Sequence, residues 1–519
     1  MATPILPQIK NIVFLMLENR SFDNLLGWAY TGTTPPRNFW PPKSIKQFDG
    51  LVPSRFSNPD SSGNAINVIP ISDDIWKTGY AIPYRDPYEA LRAGKGEDPR
   101  DPGDNWYGVM NQLFGNQQII PGLPSPSSNG TPQMKGFLQD YVSFSDGRWA
   151  GQDILWTYLS SQANIINYLA VIHAVSDRWF CSVPSETNPN RAYSICGTSL
   201  GRESNLHWSA QEQFNTKTIF NWLAEANPPK SWGLYFTDQW VGTKSYTEYT
   251  FPQMSQARGG EIAPLTTFYA RAKAGNLPAF TYLEPTWTSL SADGTDYHPN
   301  SHILPGENFL REIYLAVTGG PQYRRQETLF IITFDEHGGT YDHVAPPWGA
   351  LNPDGRNGIE NGFKFDLFGA RVPTILVSPF LPSSTVFRAP EGSTYPFDHA
   401  SFVATFLKWA GVMPTVAAHG RRVFAAPTFE GVFSLQAENA ETASPEQLQP
   451  LPAPAAPRGQ AHPSGPAKEL GALLHGIPVV PARVILGRNK TLDAIQAEAA
   501  RYRQDPEKFE ALLPINPAI

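Results

Sequence analysis

Four short apolar runs constrain the fold of this chain more than any other feature of its sequence. In chain order they are NIVFLML (11–17), AFTYL (279–283), TLFIITF (328–334) and TILVSPF (374–380). Apolar runs of this length that end at turn residues are typical of buried parallel strands. Helical patterns alternate with them, at residues 153–175, 218–226 and 306–317. Strands that alternate with helices form crossover units, so the sequence predicts an α/β fold: a mostly parallel sheet covered by helices on both faces.

Polar stretches interrupt this pattern in two places. Residues 30–135 are rich in Pro, Gly, Asn, Asp and Ser, which predicts long loop insertions over the edge of the sheet. Residues 438–470 are rich in Pro and Ala and lack the apolar residues of a core, and residues 491–513 have a helical pattern. We therefore expect a large globular domain at 1–435 and a linker with a helical tail at 436–519.

Charge and hydropathy exclude several classes of partner. The net charge is −7 and Lys and Arg form no cluster, which argues against a nucleic-acid partner. No run of about twenty apolar residues is present, so we expect no transmembrane segment. The N-terminus has a short apolar core without a small-residue cleavage site, which predicts no signal peptide. The protein would then work in the cytoplasm or leave the cell by a route that reads no N-terminal signal.

The two cysteines of the chain are too few for a cysteine-rich zinc site or a disulfide framework. Cys181 and Cys196 could form one disulfide bond. If the segment after Pro189 is helical, it would hold the two thiols apart. Both alternatives remain open at the level of the sequence.

Polar residues follow or end the apolar runs, and in open parallel sheets ligands bind outside the carboxyl ends of the strands. These residues are Glu18 and Asn19 in the first case, Glu284 in the second, Asp335 and Glu336 in the third, and Ser378 in the fourth. Any single acid here is better explained by helix capping or by a solvated loop. Two adjacent oxygen-rich pairs are different, because neighbouring carboxylates repel unless a cation lies between them. The pairs predict a site for a hard divalent cation.

Five of the ten histidines fall in three short polar segments. They are His298 and His302 in DYHPNSHILPGE, His337 and His343 in FDEHGGTYDHVAPPW, and His399 in FDHASF. A lone histidine is more often a packed core residue than a ligand or an acid. Their concentration in these segments favours a functional site.

The segment SETNPNR combines hydroxyl side chains with the signals of a helix start. Asn188 is a good cap and proline is favourable at the first helical position, so we predict a helix from Pro189 to near Gly197. Thr187 would then precede a helix N-terminus, where free N–H groups favour an anion such as phosphate. The alternative is that Thr187 and Ser185 only satisfy local backbone groups.

The motifs ENRSFDNLLG, SETNPNRAY, YHPNSHILPGE and FDEHGGTYDHVAPP occur in the order and form of a known family. With SWGLYF and ARVPTILVSPF, they make the chain from about residue 10 to residue 410 resemble the phosphoesterase family that holds bacterial and plant phospholipases C together with acid phosphatase A. The resemblance implies an alkaline-phosphatase-like fold and makes 1–435 the phosphoesterase catalytic domain.

The resemblance also implies roles for individual residues. It makes Thr187 the nucleophile, places His298 and His343 around the transferred phosphoryl group, and puts Arg191 close by. It assigns one or more divalent metal ions to Glu18, Asn19, Asp335 and Glu336. His302 stands where many relatives have an Asp, and together with Glu284 it completes our set of catalytic candidates. Glu186 and Asn188 stand where phospholipase relatives often carry small residues and a histidine.

The function that follows is a metal-dependent phospholipase C that cleaves the glycerol–phosphate bond of phosphatidylcholine or a similar phospholipid through a phospho-threonine. Aromatic-rich segments at 38–42 and 104–115 could contact acyl chains or choline at a membrane surface, although packing explains them equally well. One alternative is a phosphomonoesterase that acts on soluble substrates with the same site. Another is a binding module that holds phosphate without turnover.

Overall fold

A computed structural model describes most of the chain. The described residues are 6, 8–30, 34–42, 45, 47–76, 102–115, 130–143, 151–205, 213–239, 243–287, 294–299, 301–325, 327–435 and 442–449. The predicted tail at 491–513 and most of the predicted linker lie outside these residues. Residues 442–449 pack against the large domain: the side chain of Leu448 is fully buried, and Arg311 donates a hydrogen bond to the Leu448 carbonyl at 2.5 Å.

The described strands are β1 (Asn11–Leu17), β2 (Asn38–Trp40), β3 (Ser57–Pro59), β4 (Ala65–Asn67), β5 (Ile69–Pro70), β6 (Trp156–Thr157), β7 (Ala174–Ser176), β8 (Trp232–Phe236), β9 (Gly260–Pro264), β10 (Phe280–Leu283), β11 (Thr328–Phe334), β12 (Thr374–Val377) and β13 (Thr385–Phe387).

The described α-helices are α1 (Phe22–Leu26), α2 (Asp73–Trp76), α3 (Trp106–Phe114), α4 (Phe137–Ser143), α5 (Asn164–Ile172), α6 (Thr187–Cys196), α7 (Ile219–Glu225), α8 (Tyr246–Thr250), α9 (Leu265–Ala274), α10 (Leu304–Thr318), α11 (Pro321–Arg324), α12 (His399–Trp409) and α13 (Val416–Ala425). Short 3₁₀ helices lie at Gln152–Leu155, Pro252–Gln256 and Glu430–Ser434.

Nine of these strands form one sheet in the order β2-β13-β7-β12-β11-β1-β10-β8-β9. Strand β12 runs antiparallel to β11 and to β7, and every other neighbouring pair is parallel. All residues of β1 and β11 are buried, and successive side chains of a strand point to opposite faces, so both faces are covered. The predicted α/β fold, a mostly parallel sheet flanked by helices, is confirmed.

The fourth apolar run does not have the predicted direction. Its strand, β12, runs in the opposite direction, so Ser378 lies at the end of the sheet opposite to the one where β1 and β11 finish. An apolar run specifies that a strand is buried, whereas its direction depends on the connection that leads into it. Ser378 therefore does not join the residues that follow the other three runs.

The predicted helix at 153–175 is confirmed only for Asn164–Ile172, which form α5. The segment forms a 3₁₀ turn, the short strand β6, helix α5 and strand β7. Its last part pairs with β12 and β13 inside the sheet, so tertiary pairing overrides a pattern that is continuously apolar. The helices predicted at 218–226 and 306–317 are confirmed as α7 and α10.

Helix α6 begins at Thr187, two residues earlier than expected, and ends at Gly197, whose left-handed φ of 72° closes the helix. Cys181 and Cys196 are both buried free thiols, which settles the disulfide alternative. Among the described residues, no helix is both long enough and apolar enough to cross a membrane. The aromatic segment at 104–115 forms α3, where Trp106 and Phe114 are buried in a core cluster.

The packing of β1 on α12 can be tested by a single truncation. Phe14 is 1% exposed and its ring meets that of Phe402 edge-on, with the centroids 4.9 Å apart. Phe14→Ala removes this contact and leaves a cavity, so the free energy of unfolding should fall by about 3–5 kcal/mol. Phe424→Ala is the control, because Phe424 is 58% exposed. Denaturant unfolding that shows equal stability for the two variants would contradict this packing.

Candidate active site

Two neighbouring strand ends bring the predicted metal-binding pairs together. Leu17 of β1 lies in register with Phe334 of β11, and the polar pairs follow directly. The backbone N–H of Asn19 donates to Asp335 Oδ1 at 2.9 Å, and Asn19 has a φ of 59°, which an asparagine tolerates. The parallel pairing of β1 and β11 therefore places Asn19 and Asp335 in direct contact.

The side chain of Asn19 is the centre of the site. Its Oδ1 accepts a hydrogen bond from Thr187 Oγ1 at 3.2 Å. Its Nδ2 donates to Asp104 Oδ2 at 3.1 Å and lies 3.2 Å from His298 Nε2. His298 Nδ1 lies 2.8 Å from the carbonyl oxygen of Pro299. Because a carbonyl only accepts, the His298 proton is assigned to Nδ1, and Nε2 faces Asn19 with its lone pair.

Thr187 is the first residue of α6 and is 6% exposed. Its neighbours in SETNPNR are held by other groups. Ser185 donates to the Glu203 carbonyl, 18 residues away, so it satisfies a backbone group but not a local one. Glu186 is buried and accepts a hydrogen bond from the backbone of Asn205, so its carboxylate does not face solvent. Thr187 differs from both, because its hydroxyl is directed to Asn19.

Arg191 lies behind the site and is fully buried. Its Nε donates to Asp335 Oδ2 at 2.9 Å, and one terminal nitrogen donates to the carbonyl oxygen of Leu17 at 2.9 Å. The ring of Trp287 covers its guanidinium at 4.8 Å. With its donors committed to the protein, Arg191 positions Asp335 relative to β1.

The site carries an excess of negative charge. Burial, then Asp296 and Asp335, raise the pKa of Glu18 well above its usual range. Burial, then Asp104 and Asp335, do the same for the pKa of Glu336. Glu336 Oε1 is buried and has no hydrogen-bond partner among the described residues. A buried, oxygen-only donor set with an uncompensated carboxylate fits a hard divalent cation.

A second group of acids and a histidine lies near the start of α1. Within the described part of the chain, Asp23, Asp342 and His343 form the group whose ligand atoms all lie within 4.8 Å of one another. Arg371 contacts Asp23 Oδ1 at 2.8 Å and Asp342 Oδ1 at 2.9 Å, and His343 Nδ1 lies 2.6 Å from Asp23 Oδ2. Burial alone would lower the pKa of His343, but Asp23 and Asp49 outweigh it and raise the pKa to about 9.

The charges of this second group are therefore balanced within the protein, unlike those around Asn19. This difference makes the oxygen-rich group around Asn19 the better candidate for a cation. The hydrogen bonds of His343 run to Asp23 and Asp49, away from the chain of contacts that joins Thr187, Asn19 and His298. The expected place of His343 beside the phosphoryl group therefore has no direct support from these contacts.

Two further catalytic candidates, His302 and Glu284, accept hydrogen bonds at the starts of helices. His302 Nδ1 accepts from the backbone of Leu304 at the start of α10, and its ring lies on Trp76 with the centroids 4.4 Å apart. Burial lowers the pKa of His302 to about 4, so it is neutral at neutral pH. Glu284 is fully buried, and its Oε1 accepts from Ser245 Oγ at 3.0 Å and from the Thr247 N–H at 2.8 Å. Glu284 thus holds the start of α8.

The remaining histidines of the motifs are packed. His337 is fully buried, with Nε2 2.8 Å from Gln112 Oε1, and burial lowers its pKa to about 3. His399 is fully buried, with Nε2 2.5 Å from the carbonyl oxygen of Asp335. For these two residues the interpretation as packed core histidines is the better one, although His337 Nδ1 has no hydrogen-bond partner among the described residues.

Two acids of the site are absent from the sequence prediction. Asp296 precedes His298 by two residues, and its carbonyl oxygen accepts from the Glu18 N–H at 2.8 Å. Asp296 is the first residue of the DYHPN segment, so this segment could have identified it. Asp104 contacts Asn19 from the polar stretch before α3, where the sequence has no strand end to draw attention to it.

Relatives of the chain are found along most of its length. Residues 9–413 match the model of the Phosphoesterase family. Non-specific phospholipase C3 from Arabidopsis thaliana is 32% identical over 435 residues, which cover 79% of this chain and 73% of that protein. Non-specific phospholipase C1 from the same plant is 30% identical over 518 residues, 96% of this chain and 85% of that protein.

A bacterial relative is more distant. Phospholipase C B from Mycobacterium tuberculosis (strain ATCC 25618 / H37Rv) is 25% identical over 440 residues, 76% of this chain and 72% of that protein. The family match covers more than half of the chain and includes every strand of the sheet and the whole site around Asn19. The chain therefore belongs to the Phosphoesterase family and is a phosphoric ester hydrolase.

Proposed function

We propose that this chain is a metal-dependent phospholipase C that hydrolyses the glycerol–phosphate ester of phospholipids, with phosphatidylcholine as the first substrate to test. The names of its relatives support the substrate class. The observation that carries the reaction is the contact of Thr187 Oγ1 with Asn19 Oδ1 at the meeting point of two strand ends and a helix N-terminus.

In the first step, Thr187 Oγ1 forms a bond to phosphorus while the bond from phosphorus to the glycerol oxygen breaks. A threonine hydroxyl is a weak nucleophile and needs an acceptor for its proton. His298 Nε2 carries no proton in the assigned tautomer and accepts a hydrogen bond from Asn19 Nδ2, at the opposite end of the carboxamide from Thr187. We assign to His298 the transfer of this proton to the departing diacylglycerol oxygen.

The second step returns the enzyme to its starting state. His298 Nε2 takes a proton from water as the water oxygen bonds to phosphorus, the bond from phosphorus to Thr187 Oγ1 breaks, and His298 gives the proton to Oγ1. The products are diacylglycerol and the phosphorylated head group.

The residues suited to hold a divalent cation are Glu18, Asn19, Asp335 and Glu336, because they are oxygen donors at two neighbouring strand ends and the last three are buried. When bound, the cation would neutralise the negative charge that builds on the nucleophile and on the phosphoryl oxygens. Arg191 and the Asn19 N–H fix the carboxylate of Asp335 from two sides, so this donor is oriented in advance.

Replacement of the nucleophile tests the proposal directly. Thr187→Ala should lower the release of phosphocholine from phosphatidylcholine vesicles by about a thousandfold or more, because the attacking oxygen is gone. Thr187→Ser keeps a hydroxyl at the same place and should retain activity within about tenfold. Equal activity of the parent and the Ala variant would contradict the role of Thr187.

The same assay separates the phospholipase from a phosphomonoesterase. If the parent releases no phosphocholine but cleaves a soluble phosphomonoester, and Thr187→Ala abolishes that activity, the nucleophile stands and the lipid substrate is wrong. If the parent binds phosphate and turns over neither substrate, the chain is a binding module.

Loss of the cation can be tested by chelation and by one isosteric variant. Glu336→Gln should weaken activation by added Mg²⁺, Mn²⁺, Ca²⁺ or Zn²⁺ by more than about a hundredfold, because a ligand contributes more than its outer partners do. Cations should raise the melting temperature of the chelated parent, as any ligand of the folded state does.

In chelator, Glu336→Gln should melt no lower than the parent, because it removes one of several repelling carboxylates. Glu391→Gln is the matched control, since Glu391 lies exposed on a loop. Full activity of the parent after exhaustive chelation would contradict the metal dependence.

A further inference from the structure

Asn188 has an unusual environment beside the nucleophile. It is the second residue of α6 and is 7% exposed. Its backbone N–H donates to Asn205 Oδ1 at 2.7 Å, and its own Oδ1 accepts from the hydroxyl of Tyr246. Its Nδ2 donates to no residue in the described part of the chain. The oxygen of the carboxamide is thus bound by Tyr246, and its Nδ2 remains available as a hydrogen-bond donor.

The group that holds this carboxamide is itself fixed. Tyr246 is the first residue of α8, whose start is anchored by the fully buried Glu284 through Ser245 and Thr247. The rings of Tyr246 and Trp287 lie 4.7 Å apart, and Trp287 in turn covers the guanidinium of Arg191. Because the Tyr246 hydroxyl donates to Oδ1, the orientation of the Asn188 amide is determined and Nδ2 points away from Tyr246.

The start of α6 offers few backbone donors to an anion. Pro189 has no N–H, the Asn188 N–H is bound to Asn205, and the Asn190 N–H donates to the Glu186 carbonyl at 3.4 Å. The Thr187 N–H is left, and it has no partner among the described residues. One free N–H is fewer than the several that a helix N-terminus usually presents, so an additional donor is needed for a phosphoryl group.

We propose that Asn188 contacts the substrate: its Nδ2 donates a hydrogen bond to a non-bridging phosphoryl oxygen while Thr187 attacks phosphorus. Tyr246 is the positioning residue for this donor, and Glu284 positions Tyr246. The inference rests on the proposed function, since it assigns a further contact in the same reaction. It also gives Glu284 a role that does not require it to reach the substrate.

The test is Asn188→Asp, which keeps the oxygen that accepts from Tyr246 and replaces the donor by a negatively charged oxygen. We expect kcat for phosphocholine release to fall by about a hundredfold or more, as when a preorganised donor is removed from a developing negative charge. The inhibition constant of vanadate, which mimics the transition state, should rise by a similar factor. Asn215→Asp is the matched control, because Asn215 is exposed and its Oδ1 accepts from Gln253.

Two further variants keep the test decisive if Asn188→Asp does not fold. Asn188→Ala removes the donor without adding charge and should lower kcat by about tenfold to a hundredfold. Tyr246→Phe keeps Asn188 Nδ2 but removes the hydrogen bond that orients the amide. It should therefore lower kcat less than Asn188→Ala does, and its melting temperature should be close to that of the parent.

The outcomes separate the two proposals. If the parent is active and Asn188→Asp or Asn188→Ala matches Asn215→Asp in kcat and in vanadate inhibition, Asn188 does not contact the substrate and the proposed function stands. If the parent releases neither phosphocholine nor phosphate from any ester, the proposed function fails and this inference fails with it. A fall in kcat with vanadate inhibition unchanged also overturns the contact, because a transition-state donor must affect both.

Discussion

The buried ion pair between Arg191 and Asp335 connects the sheet to the nucleophile. Both side chains are almost fully buried and lie 2.9 Å apart. The same guanidinium donates to the carbonyl oxygen of Leu17 at the end of β1, so one side chain from α6 fixes the relative positions of β1, β11 and the helix that begins with Thr187. Removal of either partner would leave an uncompensated charge in the core, at a cost of about 3–5 kcal/mol. Fold and site thus depend on one contact.

The two acidic groups differ in how their charge is balanced. Around Asp23 and Asp342, the protein supplies Arg371 and a histidine whose pKa is raised, and the hydrogen bonds of the carboxylates are made. Around Asn19, burial and then neighbouring carboxylates raise the pKa values of Glu18 and Glu336, and one oxygen of Glu336 is buried without a partner among the described residues. This contrast supports the proposal that an external cation binds the group around Asn19. Proximity alone would favour the group at Asp23, whose ligand atoms all lie within 4.8 Å of one another.

The sequence predicted the strands that build the site because burial on both faces requires continuous apolar runs, and it predicted the pairs after β1 and β11 because chain direction is shared in a parallel sheet. It did not predict the reversal of β12, since a short apolar run reads the same in either direction. It placed the start of α6 at Pro189, whereas a proline is tolerated anywhere in the first turn, where N–H groups lack helical partners. The partners of Glu284 and Arg191 depend on tertiary packing that no local pattern encodes.

The polar stretch before β6 supplies side-chain contacts to the site and does not only surround it. Asp104 reaches Asn19 from this stretch, and Gln112 of α3 binds the carbonyl oxygen of Gly103 at 2.5 Å and the ring of His337 at 2.8 Å. Gln112 therefore ties the loop that carries Asp104 to the residue that follows Glu336. Trp106 and Phe114 are buried in a core cluster, and their burial anchors α3, the helix that carries Gln112. A segment without strand or helix periodicity can supply such contacts because a single amide joins parts of the chain that the sequence keeps 225 residues apart.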